Sequence, residues 1–280
     1  MTDMELRKAK SSDKNKVLEF CKTTFSWGDY ISDVWDHWIL EGNLLVLTEN
    51  DVPVAICHSS INGEQVWIEG IRVNKNLRRK GFAKRLVQES EFVAKNNNCK
   101  ISKMLIATNN PKSLNLASSL IYKKEEIWDF YSLLPKKINY KTNVKFATNN
   151  KSIIDFILSF TSSYVRSWRW LPLTNTNIKS LIDEKKILYS EHKGTINALA
   201  IFTKSDHFKN TLMLTLVFGN ENGIKEILLY LQNYAAQTNI VRIQILTKLK
   251  NLPKINTLEK KLSFYLMKKE IQSITHQRIL

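Results

Sequence analysis

Trp67-Ile68-Glu69-Gly70-Ile71-Arg72-Val73 runs into Asn74-Lys75-Asn76-Leu77 and then into Arg78-Arg79-Lys80-Gly81-Phe82-Ala83-Lys84. The first stretch has the β-branched and aromatic character of a strand, and the second is a polar loop. The third opens a helical pattern, in which Phe82, Leu86, Val87, Phe92 and Val93 recur at helical spacing until Asn96-Asn97-Asn98 ends it. A helix start carries backbone N–H groups without intrahelical acceptors and the positive end of the macrodipole, so it attracts phosphate. Gly81 and Ala83 keep side chains clear of an anion approaching the backbone, and Arg78, Arg79, Lys80 and Lys84 surround it with positive charge.

Around this junction the pattern reads as alternating strands and helices. Before it come a short strand over Met4–Lys8, helices over 12–25 and 30–40, and strands over 43–47 and 52–59. After it come a strand over 102–108, a helix from Pro111 to about residue 122, and a closing strand over 126–133. That order predicts an α/β (α+β) fold with a mixed sheet, not a doubly wound parallel one. Residues 1–135 read as one domain and 136–150, rich in Lys, Asn and Thr, as a linker. Residues 151–280 read as a second domain that repeats the plan faintly, with strands over 186–190, 195–203, 211–218 and 240–246, a helix over 222–235, and a further helix over 258–264 leading into a strand.

The junction resembles the signature of the GNAT superfamily of acetyl-CoA-dependent N-acetyltransferases. In that family a strand ending in Val is followed, five residues on, by [Gln/Arg]-x-x-Gly-x-[Gly/Ala]. Here Val73 is followed by Arg78-Arg79-Lys80-Gly81-Phe82-Ala83. The family's helix-opening Asn falls on Asn110, and its closing Gly-Phe on Ile121-Tyr122. The resemblance covers roughly residues 3–135 and implies acetyl-CoA as co-substrate. By position, amides 79–84, including those of Phe82 and Lys84, would cradle the pyrophosphate. The backbone of Ile71, Arg72 and Val73 would pair with the pantetheine arm, as a peptide adds to a sheet. Asn110 and Ser113 would contact that arm further along.

Acetyl transfer to nitrogen needs an uncharged amine, whereas a free alkylammonium has a pKa near ~10.4 and must first lose a proton. Glu69 is the candidate base, with pairing to Arg72 or a backbone group as the bland alternative; strand alternation places it on the side of Ile71 and Val73. Many relatives protonate the leaving thiolate with a tyrosine, at a position that is Ala117 here. Tyr131, Ser118 or water would have to replace it, and Tyr122 reads as core. Phe25-Ser26-Trp27-Gly28-Asp29-Tyr30-Ile31-Ser32-Asp33-Val34-Trp35-Asp36 places Asp29, Asp33 and Asp36 at helical spacing. With Tyr30 they would form a site for a cationic acceptor, or else a solvated acidic face over a tryptophan core. His58 reads either as a base or as a satisfied core histidine.

Composition excludes other classes. Among 280 residues, 43% are hydrophobic and 24% charged, as in an ordinary globular protein. No apolar run approaches the ~18 residues of a membrane span, and the first residues, MTDMELRKAK, lack a signal-peptide core. Three cysteines without a CxxC pair argue against a disulfide framework and point to a reducing cytoplasm. The five histidines show no metal-ligand spacing, so no metal is expected. The net charge of +16 is lopsided: residues 1–135 hold 19 basic and 17 acidic groups, the remainder 23 and 9. Such a field attracts polyanions. Tyr164-Val165-Arg166-Ser167-Trp168-Arg169-Trp170 would stack on nucleotides or form a docking helix. Val217-Phe218-Gly219-Asn220-Glu221-Asn222-Gly223 stands where a second phosphate loop would be, but it brings Glu221 and no arginine, so no second CoA is expected. The expected function is N-acetylation of a primary amine by direct attack, with a small cationic amine or amino acid preferred and a protein amine as the other acceptor class. The competing reading is a CoA-sensing or RNA-binding module on the same scaffold.

Overall fold

A computed structural model of the chain describes residues 3–22, 24, 28–139 and 142–271. The backbone divides into two compact units, Met1–Glu126 with Tyr265–Leu280, and Ile127–Phe264. The first unit runs β1 (Met4–Lys8), α1 (Lys14–Cys21), α2 (Ile31–Glu41), β2 (Leu44–Glu49), β3 (Val52–Asn62), β4 (Gln65–Val73), α3 (Phe82–Asn96), β5 (Ile101–Ala107), α4 (Pro111–Ser119) and the start of β6 (Lys123–Leu133). Its sheet follows the order β1-β2-β3-β4-β5 and is completed beside β5 by the end of the last strand, β14 (Leu258–Glu270). The expected mixed sheet is what forms: β1 to β4 are antiparallel and β4 pairs β5 in parallel.

One face of this sheet is covered by α3 and α4. Leu86, Val87, Ala94, Ala117 and Leu120 pack there on Ala55, Cys57, Val66 and Ile68. The other face is covered by α1 and α2, whose Val17, Cys21, Val34, Trp35 and Trp38 pack on Leu44, Val46 and Ile56. α2 stops at Gly42, whose left-handed backbone (φ +87°) closes the helix with a bond to the Trp38 carbonyl. Residues 23 and 25–27, at the end of the first expected helix, lie outside the described residues.

The end of α4 explains a departure from the family pattern. The Tyr122 amide donates to Ala117 O and the Ile121 amide to Ser118 O, both at 3.0 Å, closing the helix with Ile121 at φ +69°. Glycine adopts that conformation without penalty, whereas a β-branched residue resists it by roughly 1–2 kcal/mol. Ile121 is also 73% exposed, so it recovers little by burial. Ile121→Gly is therefore expected to stabilise the first unit by about 1 kcal/mol, a rise of ~2–4 °C in its melting temperature. A thermal melt that falls by a similar amount would refute this reading.

The second unit contains the rest of β6, β7 (Val144–Phe146), α5 (Lys151–Phe160), β8 (Ser163–Arg166), β9 (Arg169–Pro172), α6 (Asn175–Asp183), β10 (Ile187–His192), β11 (Thr195–Lys204), β12 (Thr211–Gly219), α7 (Glu221–Gln237), β13 (Arg242–Thr247) and the start of β14. Its sheet order, β14-β6-β13-β12-β11-β10-β7, repeats the plan of the first unit. α7 packs against one face through Ile224, Ile227, Leu228 and Leu231, and α5 and α6 against the other through Ile157, Ile178, Leu181 and Ile182.

Three expectations change. Val144–Phe146, inside the stretch read as a linker, pairs with β10. Residues 258–264 belong to one 13-residue strand that supplies its start to the second unit and its end to the first; the short apolar pattern Leu258, Leu262, Phe264 fits either period. Residues 164–170 form a hairpin turning at Ser167 (φ +50°) and Trp168 (φ +65°), not a helix. Trp168 is turned inward, its indole donating to Gln244 Oε1 at 3.0 Å and its ring meeting Phe130 and Phe264. Stacking on nucleotides does not suit a ring so engaged. Among the described residues no helix is long and apolar enough to cross a membrane.

Candidate active site

The first unit opens where β4 and β5 part. They pair only from Gln65–Ile101 to Trp67–Lys103, after which β4 runs on to Val73 and β5 to Ala107. The β5-side edge of Ile68–Val73 therefore carries backbone donors and acceptors to which β5 adds no partner. In a sheet such an edge accepts another extended chain. The expected edge residues Ile71, Arg72 and Val73 lie along it.

The parting ends on the expected phosphate turn. Lys75–Leu77 forms a single 3-10 turn, capped by Asn74 Oδ1 accepting from the Asn76 amide. Arg79 (φ +67°) and Gly81 (φ +80°) are both left-handed and flank Lys80. Alternation of this kind turns successive N–H groups into one concave nest for an anion. α3 starts at Phe82, the first apolar residue of the helical pattern, and its first intrahelical bond is from the Arg85 amide to Gly81 O. The amides of Phe82, Ala83 and Lys84 thus have no carbonyl of the helix to bond. Arg78, Arg79, Lys80 and Lys84 are exposed around the turn, with Arg78 Nε on Val73 O at 3.3 Å and Lys80 near Glu49 at 4.0 Å. A Cβ on Gly81 would meet nothing within 4 Å, so the space before it is open. Asn110 caps α4, its Oδ1 accepting from the Ser113 amide at 3.2 Å. Its side-chain oxygen is thereby used in the fold, leaving the amide group for a ligand.

β4 is bulged, and the bulge corrects one expectation. His58 pairs with Glu69 and Ile56 with Arg72, so two residues of β4, Gly70 and Ile71, stand opposite Cys57 alone on β3, with Gly70 at φ +64°. Val66, Ile68, Ile71 and Val73 consequently all face α3. Glu69 shares the opposite face with Arg72, not with Ile71 and Val73. Glycine is required here twice over, since a Cβ at Gly70 would lie 2.3 Å from Trp38 Cη2.

On that opposite face Glu69 meets His58. Its Oε1 is 3.0 Å from His58 Nδ1, and His58 Nε2 is 3.2 Å from Glu41 Oε2. His58 is fully buried, and Trp38 stacks on its ring at 4.5 Å and 2°. Arg72 is taken by Asp29 through two bonds of 2.6 and 3.0 Å, and its guanidinium lies over the Tyr30 ring at 5.2 Å. Burial pushes the Tyr30 phenol up, keeping it neutral. The expected acidic patch does not form. Asp29 precedes α2, so it is off the helical face; Asp36 is 80% exposed and bonds Lys14; Asp33 is exposed. Phe25, Ser26 and Trp27 lie outside the described residues.

The remaining candidates fall elsewhere. Tyr122 is buried in the core, its hydroxyl donating to Glu91 Oε1 at 2.7 Å and meeting Ser102. Ser118 is exposed on α4, and Tyr131 belongs to the second unit. Burial pushes the thiols of Cys21 and Cys57 up to about 12 and raises that of Cys99, so each stays protonated near neutral pH.

The corresponding place in the second unit is built differently. β12 and β13 pair without a break from Thr211–Arg242 to Leu216–Thr247. Only Asn220 separates β12 from α7, and its Oδ1 already accepts from the Gly223 amide at 2.9 Å. A Cβ on Gly223 would lie 2.7 Å from the Asn197 backbone. No turn comparable to 74–81 exists there.

Residues 14–120 match the family described as "Acetyltransferase (GNAT) family". No curated protein matches the chain. Among solved structures, a GCN5-related N-acetyltransferase from Sphaerobacter thermophilus is similar over 96% of each chain, with 12% identity and a TM-score of 0.66. A chain from Thermoplasma acidophilum, described provisionally as an acetyltransferase, is similar over 95% of this chain and 99% of its own, at 14% identity and 0.63. A tandem GNAT protein from the clavulanic acid biosynthesis pathway covers 96% and 99%, at 9% identity and 0.57. The fold is thus shared with these structures along nearly the whole chain.

Proposed function

We propose, on the premise that residues 14–120 are a GNAT acetyltransferase domain, that the first unit binds one acetyl-CoA and transfers its acetyl group to a primary amine. The observation that carries this reading is the parting of β4 from β5 ending on the left-handed turn at Arg79 and Gly81. An extended pantetheine arm suits the edge of Ile68–Val73 that β5 does not pair, and a diphosphate suits the amides 79–84. The adenosine end would lie among Arg78, Arg79, Lys80 and Lys84, and the amide group of Asn110 with Ser113 would flank the arm.

Glu69, 11% exposed at its side chain, is the base in this reading. It removes a proton from the acceptor ammonium, and the freed nitrogen lone pair attacks the thioester carbonyl. The C–N bond forms, the C–S bond breaks, and the electron pair leaves on sulfur. Attack is direct, because all three thiols are buried and protonated. With Ala117 in the usual tyrosine position and the Tyr122 hydroxyl held by Glu91, water protonates the thiolate. Since Asp29, Asp33 and Asp36 do not gather into a patch, Glu69 is the acidic group that meets the acceptor. The amine is therefore chosen by chemistry at Glu69 more than by a wide acidic surface.

Thiol release from acetyl-CoA with a panel of small amines, amino acids and peptides tests the proposal. At least one acceptor should release thiol, and Glu69→Gln should lower kcat/KM by about 10²- to 10³-fold at pH 7. Thermal stabilisation by acetyl-CoA should persist in that variant. Silence across the panel, or full activity in Glu69→Gln, would reject the mechanism.

A further inference from the structure

The register of β3 and β4 sets His58 directly opposite Glu69, in the pair that adjoins the bulge at Gly70. Paired residues of an antiparallel ladder share a face and lie within reach of each other. Here His58 Nδ1 is 3.0 Å from Glu69 Oε1. An ionised carboxylate only accepts hydrogen bonds, so with Glu69 ionised the proton of this bond sits on Nδ1. That holds for a neutral ring and for an imidazolium alike. We infer that His58 positions Glu69 for acetyl transfer: the Nδ1–H donates to Oε1 and fixes the direction in which the carboxylate meets the acceptor amine. This rests on the acetyl-transfer reading above. It makes His58 a positioning residue, since a fully buried ring reaches the acceptor only through Glu69.

The ring is a rigid donor. Trp38 stacks on it at 4.5 Å and 2°, and Glu41 Oε2 stands 3.2 Å from Nε2 on its other side. Gly70 makes room for that stack, because a Cβ there would lie 2.3 Å from Trp38 Cη2. A glutamate side chain turns about three bonds, so a carboxylate at the border of a cleft samples several directions unless something holds it. Glu69 is 11% exposed at its side chain, and His58 holds Oε1 before any acceptor arrives. Holding a base in its working direction beforehand is worth one to two orders of magnitude in rate. The proton that Glu69 takes from the ammonium does not pass to the ring, whose Nδ1 is already protonated; Glu69 returns it to water once the amide departs.

The test is steady-state kinetics of the full chain with acetyl-CoA and the fastest amine of the panel. In asparagine the amide nitrogen hangs on Cγ, as Nδ1 does in histidine. In glutamine it hangs one carbon further out, nearer the place of Nε2. His58→Asn should therefore lose only about 3-fold in kcat and His58→Gln roughly 30-fold. Both should keep KM for acetyl-CoA within about 2-fold, and both should keep the thermal shift with acetyl-CoA. Placed in Glu69→Gln, His58→Gln should cost less than about 2-fold more, because no base is left to position. The same loss in both backgrounds, or equal activity of His58→Asn and His58→Gln, overturns the inference while leaving transfer through Glu69 standing. Full activity of Glu69→Gln alone removes the base and this inference together. The native chain supplies a readout that needs no variant to fold: two-bond ¹H–¹⁵N correlation of the His58 ring should place a proton on Nδ1, and a lone pair there overturns the inference.

Discussion

A chain ending at Phe264 is expected to lose the first unit altogether, although it keeps every residue of the predicted 1–135 domain. The missing residues include Leu266 and Met267, 1% and 2% exposed, with Met267 in the core cluster of α3 and β4 and Tyr265 and Ile271 packed against it. Lys269 bonds Glu91 at 2.6 Å, and Glu91 also accepts from buried Tyr122. The Ile271 amide donates to Lys100 O. Removing two large buried side chains costs roughly 2–5 kcal/mol each, and the loss of the lysine partner of Glu91 adds to that. The sum reaches the ~5–15 kcal/mol that holds a typical domain folded. Hydrogen exchange should show β4 and β5 unprotected, with no stabilisation by acetyl-CoA, while α7 and β12 keep their protection. A cooperative, acetyl-CoA-responsive melt from the truncated chain would contradict the assignment of β14 to the first unit.

Gly81→Glu is expected to abolish acetyl-CoA binding, for two reasons that act together. At φ +80° a side chain costs about 1–2 kcal/mol, which the native turn avoids. The new carboxylate also enters the open space in front of the amides 79–84 and competes there with a diphosphate. Ligand at about 100 times its dissociation constant stabilises a native protein by about 2.7 kcal/mol, which corresponds to a shift of ~5–10 °C for a unit of this size. The variant should show none of that shift while melting within a few degrees of the unliganded native chain. Gly81→Ala, which brings the strain without the charge, should retain part of it.

Much of this was legible in the sequence because local signals and tertiary structure agree there. The strand, polar turn and helix of 67–96 gave the phosphate turn, and Pro111 after Asn110 marked the start of α4. The bulge was marked too, by a glycine inside a strand, and overlooking it put Glu69 on the wrong face. His58 opposite Glu69 follows from the hairpin register: Asn62 faces Gln65 across Gly63-Glu64, and counting back four pairs reaches 58 and 69. Glu41 carried no such signal, since only the folding of α2 over the sheet brings it to His58. The destination of β14 was equally hidden. Its partners are about 140 residues or more away, and no local pattern says that one strand will serve two units.

The most direct test is how many acetyl-CoA molecules one chain holds. Isothermal titration of the full chain with acetyl-CoA should give one site per chain, eliminated in Gly81→Glu. Among the described residues the parted strands and the nest occur once, and the second unit joins β12 to α7 through Asn220 alone. Two sites per chain, no site, or one that survives Gly81→Glu would contradict it.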